Sequence, residues 1–444
     1  MSATPFKTRL GNGPFKRALV LESPDPTLDA HLRAAGIEPF RPEVTPDEAG
    51  LIKLLENDPY ELIFKRSQTQ ITARVLDAAP NLFAVMLCCI GDDSVDKVAC
   101  AERGVLVTND PISNGRSVTE LAFGEILCLS RRVFHAADET RRSVFLKSQK
   151  QRYEVHGKKL GVLGLGNIGK QVARMGETLG MRIVFHDNRP AAVEVGKLMG
   201  WQYVSTPEDL FRESDIVTAH ISAFDYKDND NFGFITYEHF KAMGEKEQDS
   251  PRIFINLARG NIHSSEDLLR AVNEGHIRQA MVDVFPSEPR DPKNPWTNPY
   301  AENPNIFATP HIGAATLEAQ PRIAQHVANS ARMLSHFGTL RNCVYAPQHE
   351  IGVEMGAYQN IITVVHSSER GTKKAVAETI YNSGASSLVS AHRDIDKFGI
   401  AYEVIATDRP LSDDQIQEMI ANGEKSSNAS FAIRAVRQVQ AGSH

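Results

Sequence analysis

The sequence predicts an α/β protein with two parallel-sheet units and a smaller C-terminal α+β unit. Short apolar runs alternate with helical patterns through most of the chain. A G-x-G-x-x-G stretch formed by Gly164, Gly166 and Gly169 directly follows the apolar run at 160–163. After residue 345, the patterns read strand, helix, strand, strand, helix, strand. At 444 residues the chain is too long for one compact core, and we expect about three domains.

The composition excludes several classes of protein. Hydrophobic residues make up 41% of the chain and charged residues 23%, which is typical of a globular protein. The 49 Lys plus Arg against 55 Asp plus Glu include no basic cluster, so we expect no nucleic-acid partner. No apolar run reaches membrane-spanning length and the N-terminus lacks a signal core, so we expect no membrane association. Five cysteines, an odd number placed mostly in apolar runs, favour free thiols and a cytoplasmic protein: Cys88, Cys89, Cys100, Cys128 and Cys343.

The first unit contains apolar strands at 17–21, 62–65, 83–88 and 105–108, with helices at 28–35 and 95–103 between them. It follows a polar N-terminal extension and contains no phosphate-type glycine loop, which favours a substrate-side domain. Lys65 and Arg66 follow the second strand, at the sheet edge where ligands of open α/β folds bind. A helix at 116–135 is long enough to carry the chain across to the second unit.

The glycine stretch opens the second unit. Gly164 allows a tight turn, Gly166 lets a pyrophosphate approach the backbone, and Gly169 lets the following helix pack close to its strand. The N-terminus of that helix offers free N–H groups and a partial positive charge to phosphates. A second strand at 181–185 is followed by Asp187, where a carboxylate can accept hydrogen bonds from an adenosine ribose.

Three chemically useful residues follow later strands of this unit. Strands predicted at 252–257, 281–285 and 306–309, after one at 216–220, are followed by Arg259, Glu288 and His311. Neighbouring parallel strands end at one edge of a sheet, so these side chains can share a cleft. An imidazole with a carboxylate and a guanidinium is suited to proton transfer next to an anionic substrate.

Five stretches resemble the D-isomer-specific 2-hydroxyacid dehydrogenase family: NGRSVTELAFGE, GKKLGVLGLGNIG, INLARGNI, MVDVFPSEP and ATPHIGAAT. The resemblance implies a Rossmann-type doubly wound parallel sheet inserted in a flavodoxin-like substrate domain. The implied domains are 1–115 completed by 316–345 through a returning helix at 317–337, an NAD-binding domain at 116–315, and a C-terminal domain at 346–444.

The resemblance also implies the site residues. Arg259, Glu288 and His311 are the implied catalytic set. The implied NAD contacts are Gly164, Gly166, Asn167, Ile168, Gly169, Asp187, Leu257, Ala258, Arg259, Asp283, His311, Ile312, Gly313 and Ala314. The implied substrate contacts are Lys65, Arg66, Ile90, Gly91 and Arg259. No metal ligand is expected.

The C-terminal unit resembles a ferredoxin-like βαββαβ domain of the ACT regulatory type, with strands at 360–365, 387–391, 399–406 and 430–436 and helices at 373–382 and 413–421. Such units often pair edge to edge, which implies a homodimer or homotetramer. The serine-sensing form has asparagines where this chain has Ser368 and, in its GASS stretch, Ser386 or Ser387, and Arg370 replaces a proline. His366 is retained, but these departures argue against serine feedback.

Three functions are compatible with these patterns. The resemblance is strongest to enzymes that oxidise D-3-phosphoglycerate with NAD, the first step of serine biosynthesis. A dehydrogenase for another 2-hydroxy or 2-keto acid remains open, because Gln68 and Asp93 depart from the phosphate-binding pattern and the segment 223–249 differs from the usual connection. An NAD-sensing corepressor-like protein is the third. Asp187 favours NAD over NADP, although Arg189 is placed where it could meet a 2′-phosphate.

Overall fold

The computed structural model describes residues 6–225, 229–245, 249–289, 294–346 and 349–440. Parts of the unusual segment at 223–249, of the polar N-terminal extension and of the C-terminal domain predicted at 346–444 lie outside these ranges. The chain forms two compact units, one of Met1–Pro111 with Gln320–His444 and one of Ile112–Ala319. The division into three domains therefore stays a prediction, with 346–444 grouped here with the N-terminal part.

The N-terminal part of the first unit is built on a parallel sheet. The strands in this part of the chain are β1 (Arg9–Asn12), β2 (Arg17–Val20), β3 (Glu38–Phe40), β4 (Leu62–Lys65), β5 (Ala84–Leu87) and β6 (Leu106–Thr108). The helices are α1 (Thr27–Ala34), α2 (Glu48–Asn57), α3 (Ala73–Asp77) and α4 (Lys97–Glu102). Five strands pair in the order β3-β2-β4-β5-β6, all parallel. This is the doubly wound order of flavodoxin-like sheets, so the predicted sheet is present.

The single helix predicted at 116–135 is wrong. The structure has α5 (Gly115–Ser130) and α6 (Val133–Arg141), separated by Arg132 in the left-handed conformation with φ +52°. A residue in that conformation cannot continue a right-handed helix. Both helices also belong to the second unit, so α5 does not cross between the units.

The second unit contains a seven-stranded parallel sheet. Its strands are β7 (Lys159–Leu163), β8 (Arg182–His186), β9 (Gln202–Tyr203), β10 (Ile216–Ala219), β11 (Ile253–Asn256), β12 (Gln279–Val282) and β13 (Ile306–Ala308), and its other helices are α7 (Asn167–Thr178), α8 (Pro190–Leu198), α9 (Pro207–Glu213), α10 (Tyr237–Gly244) and α11 (Ser265–Asn273). The strand order is β13-β12-β11-β10-β7-β8-β9. The chain adds strands to one side of β7 and then, from β10 onward, to its other side, and the boundary between β7 and β10 is the point at which Rossmann-type sheets bind dinucleotides.

The C-terminal part of the first unit follows α12 (Ala319–Phe337). Its elements are β14 (Asn360–His366), α13 (Thr372–Asn382), β15 (Ser387–Ile395), β16 (Ile400–Thr407), α14 (Asp413–Ser427) and β17 (Ile433–Gln440). The elements occur in the predicted order, but β15, α14 and β17 extend beyond their predicted C-terminal ends. The sheet order β17-β14-β16-β15 is antiparallel throughout.

The N-terminal segment is more than a polar extension. Strand β1 pairs in parallel with β17, with Arg9 opposite Ala435, and so adds a fifth strand to the C-terminal sheet. One face of this sheet, including Val365, Tyr402 and Ala435, packs into the same core as the N-terminal sheet. The other face, including Val364, forms a separate core beneath α13 and α14. The beginning and end of the chain are therefore joined by sheet hydrogen bonds.

The five cysteines are free thiols, as predicted. Burial raises the pKa of Cys100 to about 12 and that of Cys343 to about 11, which keeps both thiols protonated and unreactive at neutral pH. None of the helices in the described ranges has both the length and the apolar character that a membrane-spanning helix needs.

Arg437 on β17 links the C-terminal sheet to the backbone of neighbouring segments through hydrogen bonds. It is 2% exposed, and its guanidinium donates hydrogen bonds to the carbonyl oxygens of Ser335 at 2.6 Å, Gly13 at 3.2 Å and Leu334. The same group lies 4.3 Å from the ring centre of Phe15. Burial lowers its pKa to about 10, so it remains charged at neutral pH.

We expect Arg437→Met to lower the free energy of unfolding by roughly 2–4 kcal/mol, because it leaves buried carbonyl groups without donors. Urea denaturation followed by circular dichroism measures this loss. Arg409→Met, at a side chain that is 62% exposed, should change stability by less than about 0.5 kcal/mol. Equal stability of the two variants would contradict a structural role for Arg437.

Candidate active site

The glycine loop after β7 has the shape that the sequence predicts. Gly164 has φ +90°, and a Cβ there would lie 2.8 Å from Ile221. A Cβ on Gly169 would lie 2.0 Å from the carbonyl oxygen of Gly164, so helix α7 can begin close to β7 only with glycine at this position. A Cβ on Gly166, in contrast, would meet none of the described residues at a distance closer than Arg189 Nη2 at 3.9 Å. The described residues therefore leave the space beside Gly166 open.

The start of α7 faces this loop. Asn167 and Ile168 form its first residues, and the N-cap residue is Gly166, which has no side chain with which to cap the helix. The N-terminal amides of a helix and its dipole are the features that bind a pyrophosphate. The loop therefore fits the phosphates of NAD.

Asp187 follows β8 and closes the loop from the other side. Its carboxylate accepts hydrogen bonds from the backbone N–H of Leu165 at 2.7 Å and from Arg189 Nη2 at 2.7 Å. Although burial acts to raise it, the pKa of Asp187 is lowered by these hydrogen bonds, above all those from Arg189. An ionised carboxylate thus lies beside the open position at Gly166.

Asp283 holds together the ends of three strands. It follows β12, its N–H donates to the carbonyl of Asn256 at the end of β11, and its carboxylate accepts from Thr309 Oγ1 at 2.7 Å. The same carboxylate accepts from the backbone N–H groups of Ile312 and Gly313, each at 2.8 Å. Burial nevertheless raises the pKa of Asp283, because these bonds only partly offset its desolvation.

The turn held by Asp283 carries His311 and ends at Ala314. His311 has φ +53°, a conformation that costs a residue other than glycine about 1–2 kcal/mol. Its Nδ1 lies 2.7 Å from Glu288 Oε2, and Glu288 Oε1 accepts the N–H of Phe285 at 3.0 Å. Because a carboxylate only accepts, the Nδ1 of His311 carries the proton and Nε2 is left as the basic atom.

This pair is coupled electrostatically. The hydrogen bond to Glu288 raises the pKa of His311 against the effect of burial. Burial acts to raise the pKa of Glu288, but the hydrogen bond from His311 and the nearby Arg259 bring it below its usual value. The imidazole is half exposed, so it is open to a substrate.

Arg259 follows β11 through Leu257 and Ala258, which are both buried. The Asn256 side chain fixes this segment, because its oxygen accepts the N–H of Ala258 and its nitrogen donates to the carbonyl of Arg259, both at 2.9 Å. A Cβ on Gly260 would lie 1.9 Å from the carbonyl carbon of Phe285, so glycine lets the segments bearing Arg259 and Glu288 approach each other. Sequence reasoning missed Asn256, although a polar residue ending the apolar strand IFIN was the available signal.

A second missed residue is Glu125 on α5. It is 3% exposed, and neither carboxylate oxygen has a hydrogen-bond partner among the described residues. Burial, and secondarily the charge of Asp283, raises its pKa to about 8. It is therefore largely protonated at neutral pH. The signal for it was a glutamate inside the apolar helix pattern LAFGEILCL.

Four of the five predicted substrate contacts, all except Arg259, lie in the first unit. Lys65 is fully buried, and its ammonium donates to the carbonyl of Arg66 and to Ser94 Oγ, both at 2.6 Å, with Glu22 at 3.8 Å. Arg66 is exposed, and Ile90 and Gly91 are partly exposed. Of the two cations, Arg66 has the better geometry for meeting an anion. The roles of all four residues stay predictions.

The sheet order, the glycine loop and the Glu288–His311 pair define a nicotinamide-dependent oxidoreductase. Residues 123–313 match the family model described as the NAD-binding domain of D-isomer-specific 2-hydroxyacid dehydrogenases. The D-3-phosphoglycerate dehydrogenase of Escherichia coli K12 is 32% identical over 359 residues, covering 80% of this chain and 83% of that protein. That of Haemophilus influenzae is 37% identical over 284 residues, covering 64% of this chain and 66% of that protein. The chain belongs to the D-isomer-specific 2-hydroxyacid dehydrogenase family and is an NAD-dependent oxidoreductase.

Solved structures agree with this fold. The TT0316 protein of Thermus thermophilus has a TM-score of 0.60 at 28% identity, covering 71% of this chain and 95% of that one. A 2-hydroxyacid dehydrogenase of Ketogulonicigenium vulgare has a TM-score of 0.59 at 26% identity, covering 71% of this chain and 94% of that one.

Substitutions at two glycines of the loop test cofactor binding and protein stability separately. Gly166→Ala should leave stability nearly unchanged, because φ is −73° and the space is open, but should weaken NADH binding by about tenfold or more by filling the pyrophosphate position. Gly169→Ala should cost about 1–3 kcal/mol of stability, because its Cβ overlaps a backbone oxygen. NADH fluorescence titration and thermal denaturation measure the two effects. Wild-type NADH affinity in Gly166→Ala would contradict the assignment.

Proposed function

We propose that this protein oxidises D-3-phosphoglycerate to 3-phosphohydroxypyruvate with NAD, the reaction named for its relatives from Escherichia coli and Haemophilus influenzae. The observation that carries the proposal is the Glu288–His311 pair, 2.7 Å apart at the strand ends of a sheet that also bears the glycine loop. A sensor that only binds NAD has no need of a histidine held in this tautomer, so the pair favours an enzyme.

NAD supplies the acceptor for the C2 hydride when it is bound. Gly164, Gly166 and Gly169 would hold its phosphates at the start of α7, with Asn167 and Ile168 as the first helical amides. Asp187 would accept from the adenosine ribose. Asp283, and the segments at 257–259 and 311–314, would line the nicotinamide position.

His311 would then act as the general base. Its Nε2 takes the proton of the substrate C2 hydroxyl, while Glu288 stabilises the imidazolium through Nδ1. In the reverse direction the protonated imidazole returns that proton to the carbonyl oxygen. The hydrogen bond to Glu288 raises the pKa of His311, which favours the imidazolium that forms when the base takes this proton.

Arg259 would orient the substrate. Its planar guanidinium can pair with the C1 carboxylate and polarise the forming C2 carbonyl. Arg66, exposed after β4, is the better placed of the predicted cations to meet the phosphate, while the buried Lys65 would support its loop. Ile90 and Gly91 would line the substrate through their backbone.

Cofactor selection should favour NAD. The Asp187 carboxylate would repel a 2′-phosphate, and Arg189 is already bound to it by two hydrogen bonds at 3.0 Å and 2.7 Å. For Arg189 to bind a 2′-phosphate, it would have to leave this ion pair.

The C-terminal part of the first unit would serve assembly and regulation as an ACT-like domain. In the described sheet, β15 is a nine-residue edge strand that pairs only with β16. A long edge with unpaired amide and carbonyl groups is suited to pairing with a second copy, which supports a homodimer or homotetramer. The free cysteines support a cytoplasmic location.

An assay panel tests the substrate. We expect NADH formation with D-3-phosphoglycerate to exceed that with D-lactate, D-glycerate and 2-hydroxyglutarate in kcat/KM by about tenfold or more, because a phosphate–arginine pair contributes at least about 1.4 kcal/mol. NADP should be at least about tenfold less efficient than NAD. A higher kcat/KM with an unphosphorylated acid would transfer the assignment to that substrate.

The catalytic pair makes a second test. His311→Asn should reduce kcat by a factor of about 100 to 10,000 without loss of NADH binding. Glu288→Gln should reduce kcat about 10- to 100-fold, because a neutral amide oxygen replaces the charged acceptor in the hydrogen bond to the imidazolium. Steady-state kinetics and NADH titration measure both.

The dependence of the reaction rate on pH tests the effect of Glu288 on the pKa of His311. Oxidation needs neutral His311, so its rate rises with pH through the raised pKa; Glu288→Gln lowers that pKa and moves the rise to lower pH. The rate of the reverse reaction, which needs the imidazolium, falls as the pH rises, and Glu288→Gln should move that fall to lower pH as well. A profile unchanged by Glu288→Gln would remove Glu288 from this role.

A further inference from the structure

A cluster of side chains that could ligate a metal lies on the C-terminal sheet, on strands that carry none of the candidate active-site residues. His366, His392 and Glu403 each offer one ligand atom, and these atoms all lie within 4.8 Å of one another. The residues come from three neighbouring strands, β14, β15 and β16, so their spacing along the sequence gives no motif. Their convergence is a product of the sheet.

The sheet register explains why the three side chains meet. Glu403 on β16 is opposite His392 on β15 and Val364 on β14, and the next row on the same face contains His366 opposite Ala401. Directly opposed residues point to the same face of a sheet. Val364 belongs to the core beneath α13 and α14, so the cluster is on the helix-covered face.

The cluster is buried and its polar atoms are unsatisfied. His366 is 1% exposed and Glu403 is 5% exposed. Among the described residues, no hydrogen-bond partner reaches Nε2 of His366, Nε2 of His392 or Oε2 of Glu403. Asp394 Oδ1 lies 3.6 Å from His392 Nε2, which is too long for a hydrogen bond. Buried polar atoms without partners are costly, and three converging on one point favour a ligand between them.

The tautomer of His366 suits a metal. Its Nδ1 lies 2.7 Å from the carbonyl oxygen of Ser367, which can only accept, so Nδ1 carries the proton and Nε2 presents a lone pair. A backbone carbonyl on the second ring nitrogen is the usual partner of a metal-bound histidine. The two imidazole rings stack with centroids 5.4 Å apart at 19°.

The charge balance points the same way. Burial lowers the pKa of His366 to about 4, so its ring is neutral at neutral pH. Burial raises the pKa of Glu403 to about 7, although the nearby Lys373 acts to lower it. Burial thus disfavours the charged forms of both groups, and a bound cation would offset that cost for the carboxylate.

We propose that His366, His392 and Glu403 form a binding site for a divalent transition-metal ion, with zinc as the expected occupant. Two imidazole nitrogens and one carboxylate oxygen form a three-ligand zinc set that leaves a fourth position open. Ligand atoms in a tetrahedral zinc site are about 3.3 Å apart. The ligand atoms of these three side chains therefore need to approach one another by at most about 1.5 Å. The open position would take water or a carboxylate from a regulatory ligand.

The test uses untagged full-length protein freed of metal by a chelator, then titrated with zinc against a chromophoric chelator. We expect a single equivalent of zinc to bind to the wild type. His366→Asn, His392→Asn and Glu403→Gln should each weaken binding by about tenfold or more. His31→Asn and Glu378→Gln, at exposed residues of the same unit, are matched controls and should bind as the wild type.

Cobalt gives an independent readout of geometry. The Co²⁺-loaded wild type should show intense visible bands of a four-coordinate ion, and Glu403→Gln should lose them while keeping the wild-type circular dichroism spectrum. Clearly substoichiometric zinc binding by the wild type would overturn the proposal even if every variant failed to fold. Wild-type zinc affinity in the three ligand variants would overturn it as well. None of these measurements depends on the catalytic reaction, so their failure would leave the proposed function untouched.

Discussion

The site of the second unit depends on one buried carboxylate. Asp283 accepts hydrogen bonds from Thr309, Ile312 and Gly313, and its own N–H binds the end of β11. These contacts tie the ends of three neighbouring strands together and hold His311 in a left-handed conformation that it would not adopt alone. The strain at His311 is sustained because three hydrogen bonds to a single carboxylate over-determine the turn.

The chemical groups of the site lie on loops, but rigid neighbours position them. Asn256 fixes the backbone that carries Arg259, and Gly260 permits its close approach to Phe285, whose N–H binds Glu288. Glu288 then orients His311. Each catalytic candidate is thus held by a neighbouring residue, which is how a parallel sheet can present precise chemistry at its edge.

The C-terminal sheet serves two structural purposes. One face completes the core of the first unit, and β1 extends the same sheet from the other end of the chain. The other face, under α13 and α14, holds the His366, His392 and Glu403 cluster. A ligand bound in that cluster would contact β14, β15 and β16 together, and β15 is the exposed edge along which a second copy could pair.

Local structure and the chemical candidates could be predicted from the amino-acid order alone. Apolar runs located most strands within a residue or two, because a strand buried on both faces must be apolar throughout. The glycine fingerprint located the tight loop between β7 and α7, because only glycine readily tolerates φ +90° at Gly164 and the contact at Gly169. Arg259, Glu288 and His311 were found because they follow three strands of one sheet.

Several features of the structure depend instead on contacts between segments that are distant in sequence. The break at Arg132, the pairing of β1 with β17, the burial of Lys65 and the unpartnered Glu125 all depend on such contacts. So does the meeting of His366, His392 and Glu403, which register across three strands brings about. Periodicity reports which face of an element is apolar. It does not report which polar groups will share that face once the sheet is assembled, because strand order and register are set by packing of the whole chain.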